Sequence, residues 1–296
     1  MKRYLVLLGL FLVLCLPVLF SVTVIDDLGR VIDVPTPPQR VIVAAPAITD
    51  FLIQLGLSDR IVGVTDYDRF EAERIGQLMP LNREKILSLR PDLVLMAGGF
   101  QAPEVQGLEE LGIPTLVLNP LGLEDVYRSA QLISIIFGIP KQGTALVESL
   151  RKRVDNVALE AYTIPLDQRK KVFFAMFYGD EVKDLWTCGY GSLLNELIAL
   201  AGGINITGHF PGPSGWLPIA EEFVAKANPD VIIIPVYYEG GEEPAVRALL
   251  SYQPWAGVNA IQSRSFILVD GDTSNQPNTL LIGILETLFQ ELYPKR

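Results

Sequence analysis

The sequence is poor in the side chains that most enzymes use for acid–base and nucleophilic chemistry. His209 is the only histidine among 296 residues, and Cys15 and Cys188 are the only cysteines. A Ser-His-Asp or Cys-His arrangement would have to use His209, and no motif near it supports one. Groups of Cys and His at metal-ligand spacing are missing as well. We therefore predict that the chain is not an enzyme, that it has no catalytic residues and that it holds no metal site or resident cofactor.

Motifs for nucleotide binding and ester hydrolysis are also missing. No glycine-rich segment ends in Gly-Lys-Ser or Gly-Lys-Thr, and residues 189–192 lack the spacing of a nucleophile elbow. Neighbouring acids such as Glu221 and Glu222 point apart on a helix and do not form a catalytic pair. The enzyme alternative that remains is a secreted α/β hydrolase-type protein using Cys188 or His209.

Long apolar runs are missing except at the start of the chain. Lys2 and Arg3 precede an apolar stretch over residues 4–20, which is the pattern of a secretory signal peptide. We predict cleavage after Ser21; a retained membrane anchor is the alternative. Cys15 follows Leu-Val-Leu and not the small residues that usually precede a lipid-modified cysteine. The predicted location is extracytoplasmic, in the periplasm.

Basic residues are few. The chain has 24 Lys and Arg against 34 Asp and Glu, and removal of Lys2 and Arg3 with the signal peptide leaves 22 basic side chains and a net charge of −12. Such acidity excludes nucleic acid as a partner, since its binding depends on neutralised phosphates. Cys188 alone remains after cleavage, so no intramolecular disulfide forms and the core depends on packing.

Short apolar strands alternate with amphipathic helices in two parts of the chain, after a β-hairpin at residues 22–34. This alternation predicts parallel sheets covered on both faces. The predicted strands are 40–44, 61–64, 93–96, 115–118, 171–177, 231–234 and 266–269. The predicted helices between and after them are 48–55, 83–89, 106–111, 192–201, 222–227, 244–250 and 279–292.

Strand signals disappear between residues 124 and 162, where apolar residues recur at helical spacing on both sides of Pro140. This segment is too apolar for a flexible linker, which favours a rigid helical bridge. We predict an α/β protein of two Rossmann-like lobes joined by a long interlobe helix. The predicted division is a signal peptide (1–21), an N-terminal lobe (22–122), a helical bridge (123–168) and a C-terminal lobe (169–296).

Two segments repeat one another. Residues 84–95 and 222–233 each place a glutamate seven residues before a Pro-Asp pair that opens an apolar strand. Helix-Pro-Asp-strand junctions are common, but the matched register and the equivalent place in each half favour two related lobes. Ligands bind preferentially between such lobes.

Aromatic side chains follow the predicted strands at their carboxyl ends, where ligands bind in open α/β sheets. Rigid aromatic faces suit a large, flat or greasy ligand. The candidate ligand-binding residues are Tyr67, Phe70, Phe100, Tyr178, Trp186, Tyr190, Phe210, Trp216, Tyr237 and Tyr238. Packing of some of these loops onto the core is the alternative, and we expect about half to touch ligand.

The chain resembles the helical-backbone class of periplasmic binding proteins, which are receptors for ferric siderophores, haem and vitamin B12. The resemblance is carried by the order and spacing of residues 23–30, 38–43, 60–65, 84–94, 191–197, 201–205 and 222–231. It implies two lobes on one long helix with small hinge motion. It also implies that Glu84 and Glu222 dock onto arginines of a permease dimer, although acids are common at helix starts anyway.

The same resemblance narrows the ligand. Tyr67 and Trp216 match aromatics that line the cleft of vitamin B12 binders, but Leu78 stands where a third aromatic is expected. The amino-terminal hairpin is typical of the iron-chelate members. We therefore predict an iron chelate, a ferric siderophore, with cobalamin or haem as alternatives, and a monomer acting with an ABC importer. A sensor or adhesin without transport is a further alternative.

No basic cluster that would hold an anionic siderophore is evident in the sequence. Arg69, Arg74 and Lys183 are the candidates for such a role. Each is also easily explained as an ordinary charge on the surface.

Overall fold

The computed structural model describes residues 20–178 and 181–294, so most of the predicted signal peptide lies outside the described residues. The strands are β1 (Phe20–Ile25), β2 (Val31–Thr36), β3 (Val41–Val43), β4 (Ile61–Val64), β5 (Glu73–Arg74), β6 (Leu93–Ala97), β7 (Thr115–Leu118), β8 (Lys171–Phe174), β9 (Trp186–Cys188), β10 (Ile204–Asn205), β11 (Trp216–Pro218), β12 (Val231–Val236) and β13 (Phe266–Asp270). The α-helices are α1 (Pro46–Gln54), α2 (Arg83–Ser88), α3 (Val105–Glu109), α4 (Leu123–Ile136), α5 (Pro140–Tyr162), α6 (Leu193–Leu200), α7 (Glu221–Ala227), α8 (Glu242–Ser251), α9 (Asn259–Ser263), α10 (Gly271–Asn275) and α11 (Leu281–Leu292).

The amino-terminal hairpin forms as predicted, with β1 and β2 antiparallel. Asp26 organises its turn, because the carboxylate accepts hydrogen bonds from the N–H groups of Leu28 and Arg30, each at 3.0 Å. The Arg30 guanidinium pairs with Asp26 and with Glu109 of α3, at 2.5 and 2.6 Å. These bonds fasten the hairpin to the first lobe. The predicted cleavage site after Ser21 falls inside β1.

Each lobe has a parallel sheet, as the apolar strands predict. The first has the order β5-β4-β3-β6-β7 and the second the order β10-β8-β12-β13. Strands β4-β3-β6-β7 of the first sheet correspond in order to β10-β8-β12-β13 of the second. The central strands are almost wholly buried, because helices cover both faces. This confirms the predicted α/β class.

The second sheet is shorter than predicted, and it is followed by a small sheet that the pattern did not reveal. Strand β8 ends at Phe174, not at residue 177. Strands β9 and β11, of three residues each, pair antiparallel across the loop that separates them. This small sheet fixes the position of Trp216.

The repeat seen in the sequence is also a repeat in backbone conformation. The helix before each central strand ends in a residue with a left-handed conformation, Arg90 with φ 48° and Asn228 with φ 51°. A Pro-Asp pair follows in both lobes and leads into the strand. Proline after a left-handed residue cannot continue the helix, so the backbone turns at the same point in both repeated segments.

The aspartate of each Pro-Asp pair then repeats the same hydrogen bonds. Asp92 accepts from the N–H groups of Gln39 and Arg40, at 2.7 and 3.0 Å, and its own N–H donates to the Arg40 carbonyl. Asp230 accepts from Lys171 N–H at 2.9 Å, and its N–H donates to the Lys171 carbonyl. Each aspartate thereby ties the start of a central strand to the start of its neighbour.

Two antiparallel helices occupy the segment predicted as a bridge. Helix α4 packs against α1 and β2 of the first lobe, and the 23-residue α5 packs against α4 and against α6 and α11 of the second. Arg153 on α5 pairs with Glu286 on α11 at 2.7 Å. Within 20–178 and 181–294, no helix combines the length and apolarity needed to cross a membrane. The lobe boundaries at residues 122 and 169 stay a prediction.

Candidate functional site

A cleft of about 710 Å³ lies between the two lobes. Its first wall consists of the segments after β3, β4, β6 and β7, so it is built at the carboxyl ends of parallel strands, where ligands bind in open α/β sheets. Its second wall comes from the start of α6, from the loop before β11 and from the chain between β13 and α11. The lobes therefore contribute to the cleft from both sides.

Three of the ten predicted aromatic residues line this cleft. Tyr67 and Phe100 come from the first lobe, where they are 60% and 49% exposed, and Trp216 comes from the second. Leu78, which stands where the resemblance led us to expect an aromatic residue, lines the cleft as well. Large apolar surface is thus left open to a ligand on both walls.

Trp216 is held in place by packing and by a glycine. Its ring makes an edge-to-face contact with Phe174 at 5.7 Å between centroids. Gly215, directly before it, has φ +79°, and a Cβ there would lie 2.0 Å from the backbone nitrogen of Ser192. No other residue fits that approach. The tryptophan therefore presents one face to the cleft from a rigid support.

The other seven predicted aromatics do not line this cleft. Phe70 packs against the core of the first lobe, and Phe210 lies in edge-to-face contact with Phe223 at 5.1 Å. Tyr178 stacks on Tyr237 at 5.3 Å. The rest are Trp186, which is partly exposed on β9, and the exposed Tyr190 and Tyr238.

A second cavity, of about 440 Å³, lies next to the cleft. Tyr237 and Tyr238 line it, together with Glu239, Glu242 and Asp270. Arg69 of the first lobe lines it too. This smaller cavity is therefore acidic along its wall in the second lobe.

Gln101 supports the wall that carries Phe100, and the sequence pattern gave no sign of its role. Its amide nitrogen donates to the carbonyls of Ala44 and Leu78, at 2.7 and 2.9 Å, and its amide oxygen accepts from Ala97 N–H at 2.8 Å. The side chain is fully buried. Three segments of the first wall are thus joined through one amide group.

One arginine bridges the lobes at the edge of the cleft. Arg69 pairs with Asp270 at 3.0 Å and with Asp272 at 2.7 Å. Burial alone would raise the pKa of Asp270, but hydrogen bonds from Thr273 and from Arg69 outweigh it and lower that pKa. Asp270 is therefore ionised at neutral pH, and the formal charges of one arginine and two aspartates sum to −1.

The other two predicted candidates for binding an anion are also occupied. Arg74 donates to the backbone carbonyls of Thr65 and Asp68, at 3.0 and 2.7 Å. Lys183 lies 3.6 Å from Glu181 on the exposed surface. Neither side chain lines the cleft.

A buried contact also joins the lobes. Asp50 on α1 accepts hydrogen bonds from the backbone nitrogen of Thr279, at 3.1 Å, and from its hydroxyl. Burial raises the pKa of Asp50, although the bonds from Thr279 and Gln54 partly offset that effect. The carboxylate also covers free backbone N–H groups just before α11, where a negative charge is favoured.

Uncharged polar residues complete the lining of the cleft. Asn119, Ser214, Ser274, Asn275 and Gln276 supply hydroxyl and amide groups. The Asn275 amide nitrogen donates to the Tyr237 hydroxyl at 2.5 Å. Within the described parts of the chain its buried amide oxygen has no hydrogen-bond partner.

The two residues on which an enzyme would depend are poorly placed for catalysis. Cys188 is fully buried, and burial raises the pKa of its thiol to about 12, so it stays protonated at neutral pH. His209 is exposed and stacks on Phe210 at 4.1 Å. Across residues 20–178 and 181–294, no group of three or more His, Cys, Asp or Glu side chains could hold a metal ion.

Glu84 and Glu222 occupy equivalent places on the two lobes. Each lies in the first turn of the helix that precedes a central strand, α2 or α7, and each is exposed. Helices of a parallel α/β unit begin at the edge where strands end, so we expect both acids on the side where the cleft opens. The residue six positions before each, Leu78 or Trp216, lines the cleft.

Comparison with known proteins agrees with this architecture. The model of the periplasmic binding protein family matches residues 41–273. An uncharacterised ABC transporter substrate-binding lipoprotein of Bacillus subtilis, YvrC, is 28% identical over 284 residues, covering 93% of this chain and 86% of its own length. The vitamin B12-binding protein of Vibrio cholerae is 25% identical over 260 residues, covering 85% and 88%. The structure of the Haemophilus influenzae molybdate-binding protein MolA has a TM-score of 0.80 at 20% identity, covering 93% and 92%.

Proposed function

The chain belongs to the periplasmic binding protein family, and from that premise we propose that it captures an iron chelate between its lobes for an ABC importer. Proteins of this family are non-enzymatic components of transport, so the prediction that the chain is not an enzyme is confirmed. Its general role is that of a substrate-binding protein of an ABC transporter. The observation that carries the finer proposal is the aromatic cleft formed by both lobes.

The size and lining of the cleft support a bulky ligand. A volume of about 710 Å³ lies within the range of about 300–1,000 Å³ that holds drug-sized molecules. The open faces of Tyr67, Phe100 and Trp216 offer apolar contact, while amide and hydroxyl groups around them offer hydrogen bonds. A ferric siderophore, with an apolar exterior and amide groups, matches this combination.

Cobalamin and haem remain the alternatives. The related V. cholerae protein is named as a vitamin B12-binding protein. Tyr67 and Trp216, which match aromatics of vitamin B12 binders, line the cleft of this chain. Leu78 supplies an aliphatic contact at the place where the resemblance predicts a third aromatic ring, which favours the iron chelate over the corrinoid.

We propose that Glu84 and Glu222 dock the receptor onto arginines of the permease dimer. The charged neighbours of both acids are already paired: Arg83 with Glu104 at 3.2 Å and Lys85 with Glu73 at 2.8 Å. Next to Glu222, the Glu221 carboxylate accepts from the Tyr252 hydroxyl. Within the described residues, the side chains of Glu84 and Glu222 form no hydrogen bond or ion pair, so both carboxylates are available to a partner.

We also propose export with a cleaved signal peptide. Cleavage after Ser21 would remove the first two residues of β1 and leave the pairs from Val22 to Ile25 with β2. We expect the intact mass of the exported protein to correspond to a chain that begins at Val22. A mass corresponding to a lipid-modified chain starting at Cys15, or to the full chain, would contradict this cleavage.

Tryptophan fluorescence tests the proposed binding site. Ferric chelates quench nearby indoles. Trp216 lines the cleft, whereas Trp255 is fully buried and Trp186 on β9 is partly exposed and does not line the cleft. Titration with ferric hydroxamate, haem and cobalamin is expected to give saturable quenching with at least one of them. Trp216→Phe is expected to remove more than half of that quenching.

Trp186→Phe is the matched control and is expected to keep most of the quenching. Equal loss in both variants would place the ligand outside the cleft. Lack of saturable binding by every chelate would overturn the proposed function.

A further inference from the structure

The charged side chains that line the cleft and the smaller cavity beside it are mostly acidic. Asp272 is the only charged residue that lines the main cleft, and the smaller cavity beside it is lined by Arg69 against Glu239, Glu242 and Asp270. All of these residues belong to the described part of the chain. The only basic side chain at the site is therefore outnumbered four to one.

That arginine is not available to an anionic ligand. Its guanidinium pairs with both Asp270 and Asp272, and the hydrogen bond with Asp270 raises the pKa of Arg69. An anion could recruit Arg69 only by displacing two carboxylates that lie within 3.0 Å of it. The bridge between the lobes would be lost as well.

Helix starts are the other source of positive potential, and most of them at the cleft are already covered. The starts of α4, α6 and α10 are covered by Asp125, Ser192 and Asp270, which accept hydrogen bonds from backbone N–H groups. Among the described helices that begin at the cleft, α1 (from Pro46) and α11 (from Leu281) have no side-chain cap. The Asp50 carboxylate accepts from the Thr279 N–H just before α11, which leaves the uncovered start of α1. Its partial charge of about half a unit is smaller than the excess of acids.

We infer that the cleft selects neutral or cationic chelates and rejects anionic ones. This inference rests on the proposed function and narrows it to a substrate class: trihydroxamate-type ferric complexes or other uncharged metal chelates, and not tris-catecholate complexes, haem with its propionates or oxyanions. The net charge of −12 predicted for the mature chain adds a long-range field of the same sign. The fold itself does not impose this choice, because the similar MolA structure contains molybdate.

A charge series on one chelate tests the inference. Ferrioxamine B is cationic through its free ammonium group, its N-acetyl derivative is neutral, and its N-succinyl derivative is anionic, while the ferric core is unchanged. At low salt we expect the cationic and neutral complexes to bind at least about tenfold more tightly than the anionic complex. Added salt is expected to reduce this difference in affinity. Equal or tighter binding of the anionic complex would overturn the inference and leave the receptor function intact.

A variant pair assigns the effect to the cleft. Asp272→Asn is expected to reduce the ratio of cationic to anionic affinity by about threefold, since it removes one charge at the lining. Glu148→Gln makes the same change at an exposed site on α5 and is expected to leave the ratio unchanged. Equal effects of both variants would show that only the overall charge acts, which contradicts selection by the cleft.

Two further ligands keep the inference testable if the hydroxamates do not bind. Binding of cyanocobalamin, which is neutral, without binding of haem would support it. Binding of haem without cyanocobalamin would overturn it while preserving the receptor function. Failure of every chelate would remove the proposed function and the inference with it.

Discussion

Uptake is expected to be abolished when the charges of the two proposed docking acids are reversed in the double variant Glu84→Lys with Glu222→Lys. The affinity for ligand is expected to be unchanged. Each exposed ion pair contributes up to about 1 kcal/mol. Reversal replaces each attraction with a repulsion of similar size. Over two pairs the change is about 4 kcal/mol, or roughly a thousandfold in docking affinity.

The measurement is uptake of labelled ferric chelate by cells or by vesicles containing the cognate permease, alongside fluorescence titration of the same variant. Glu148→Lys with Glu160→Lys is the matched control, because both acids are exposed on α5 and the change in net charge is identical. Normal uptake by the docking variant would reject the role of Glu84 and Glu222. Loss in both variants would point to net charge and not to a defined docking site.

Removal of the three cleft aromatics is expected to have the second large effect. The triple variant Tyr67→Ala, Phe100→Ala and Trp216→Ala loses ring contacts on both walls of the cleft. Aromatic anchors commonly contribute 1 kcal/mol or more each, so the expected loss is about 3 kcal/mol or more. That loss corresponds to at least about a hundredfold weaker binding, measured by isothermal titration calorimetry.

The control uses three exposed aromatics that line neither the cleft nor the smaller cavity beside it. The triple variant Tyr162→Ala, Trp186→Ala and Tyr190→Ala is expected to change affinity by less than about threefold. Because Trp216 also packs on Phe174, the single variant Phe100→Ala tests the same idea without loss of that contact. Unchanged affinity in Phe100→Ala and in the cleft triple variant would exclude the cleft as the binding site.

The elements that the sequence predicts well are those whose signal is local. Central strands such as β6 and β12 are buried on both faces, so they appear as uninterrupted apolar runs. The junctions at Pro91 and Pro229 carry their own signals for ending a helix. The alternation of these elements was enough for the α/β class, which the structure confirms.

The features that the sequence could not reveal depend on contacts between distant segments. Strands β9 and β11 have three residues each, and each is ordered by pairing with the other. Arg69 and Asp270 are 201 positions apart, so no spacing pattern connects them. The position of a strand end predicts where an aromatic residue lies but not the direction of its side chain. Phe70 packs against the core, whereas Phe100 lines the cleft. The Asp-Gly-Asp sequence that begins at the last residue of β13 was the one signal that could have identified Asp272.

The junction that recurs in both lobes gives the receptor two equivalent helix starts, each with an exposed glutamate. Equivalent helices carry Glu84 and Glu222, one on each lobe, and we expect a half turn that exchanges the lobes to exchange the two acids. A permease made of two identical subunits would meet the same pair of charges in either orientation. Both orientations of approach would then be productive, which doubles the fraction of encounters that can lead to delivery.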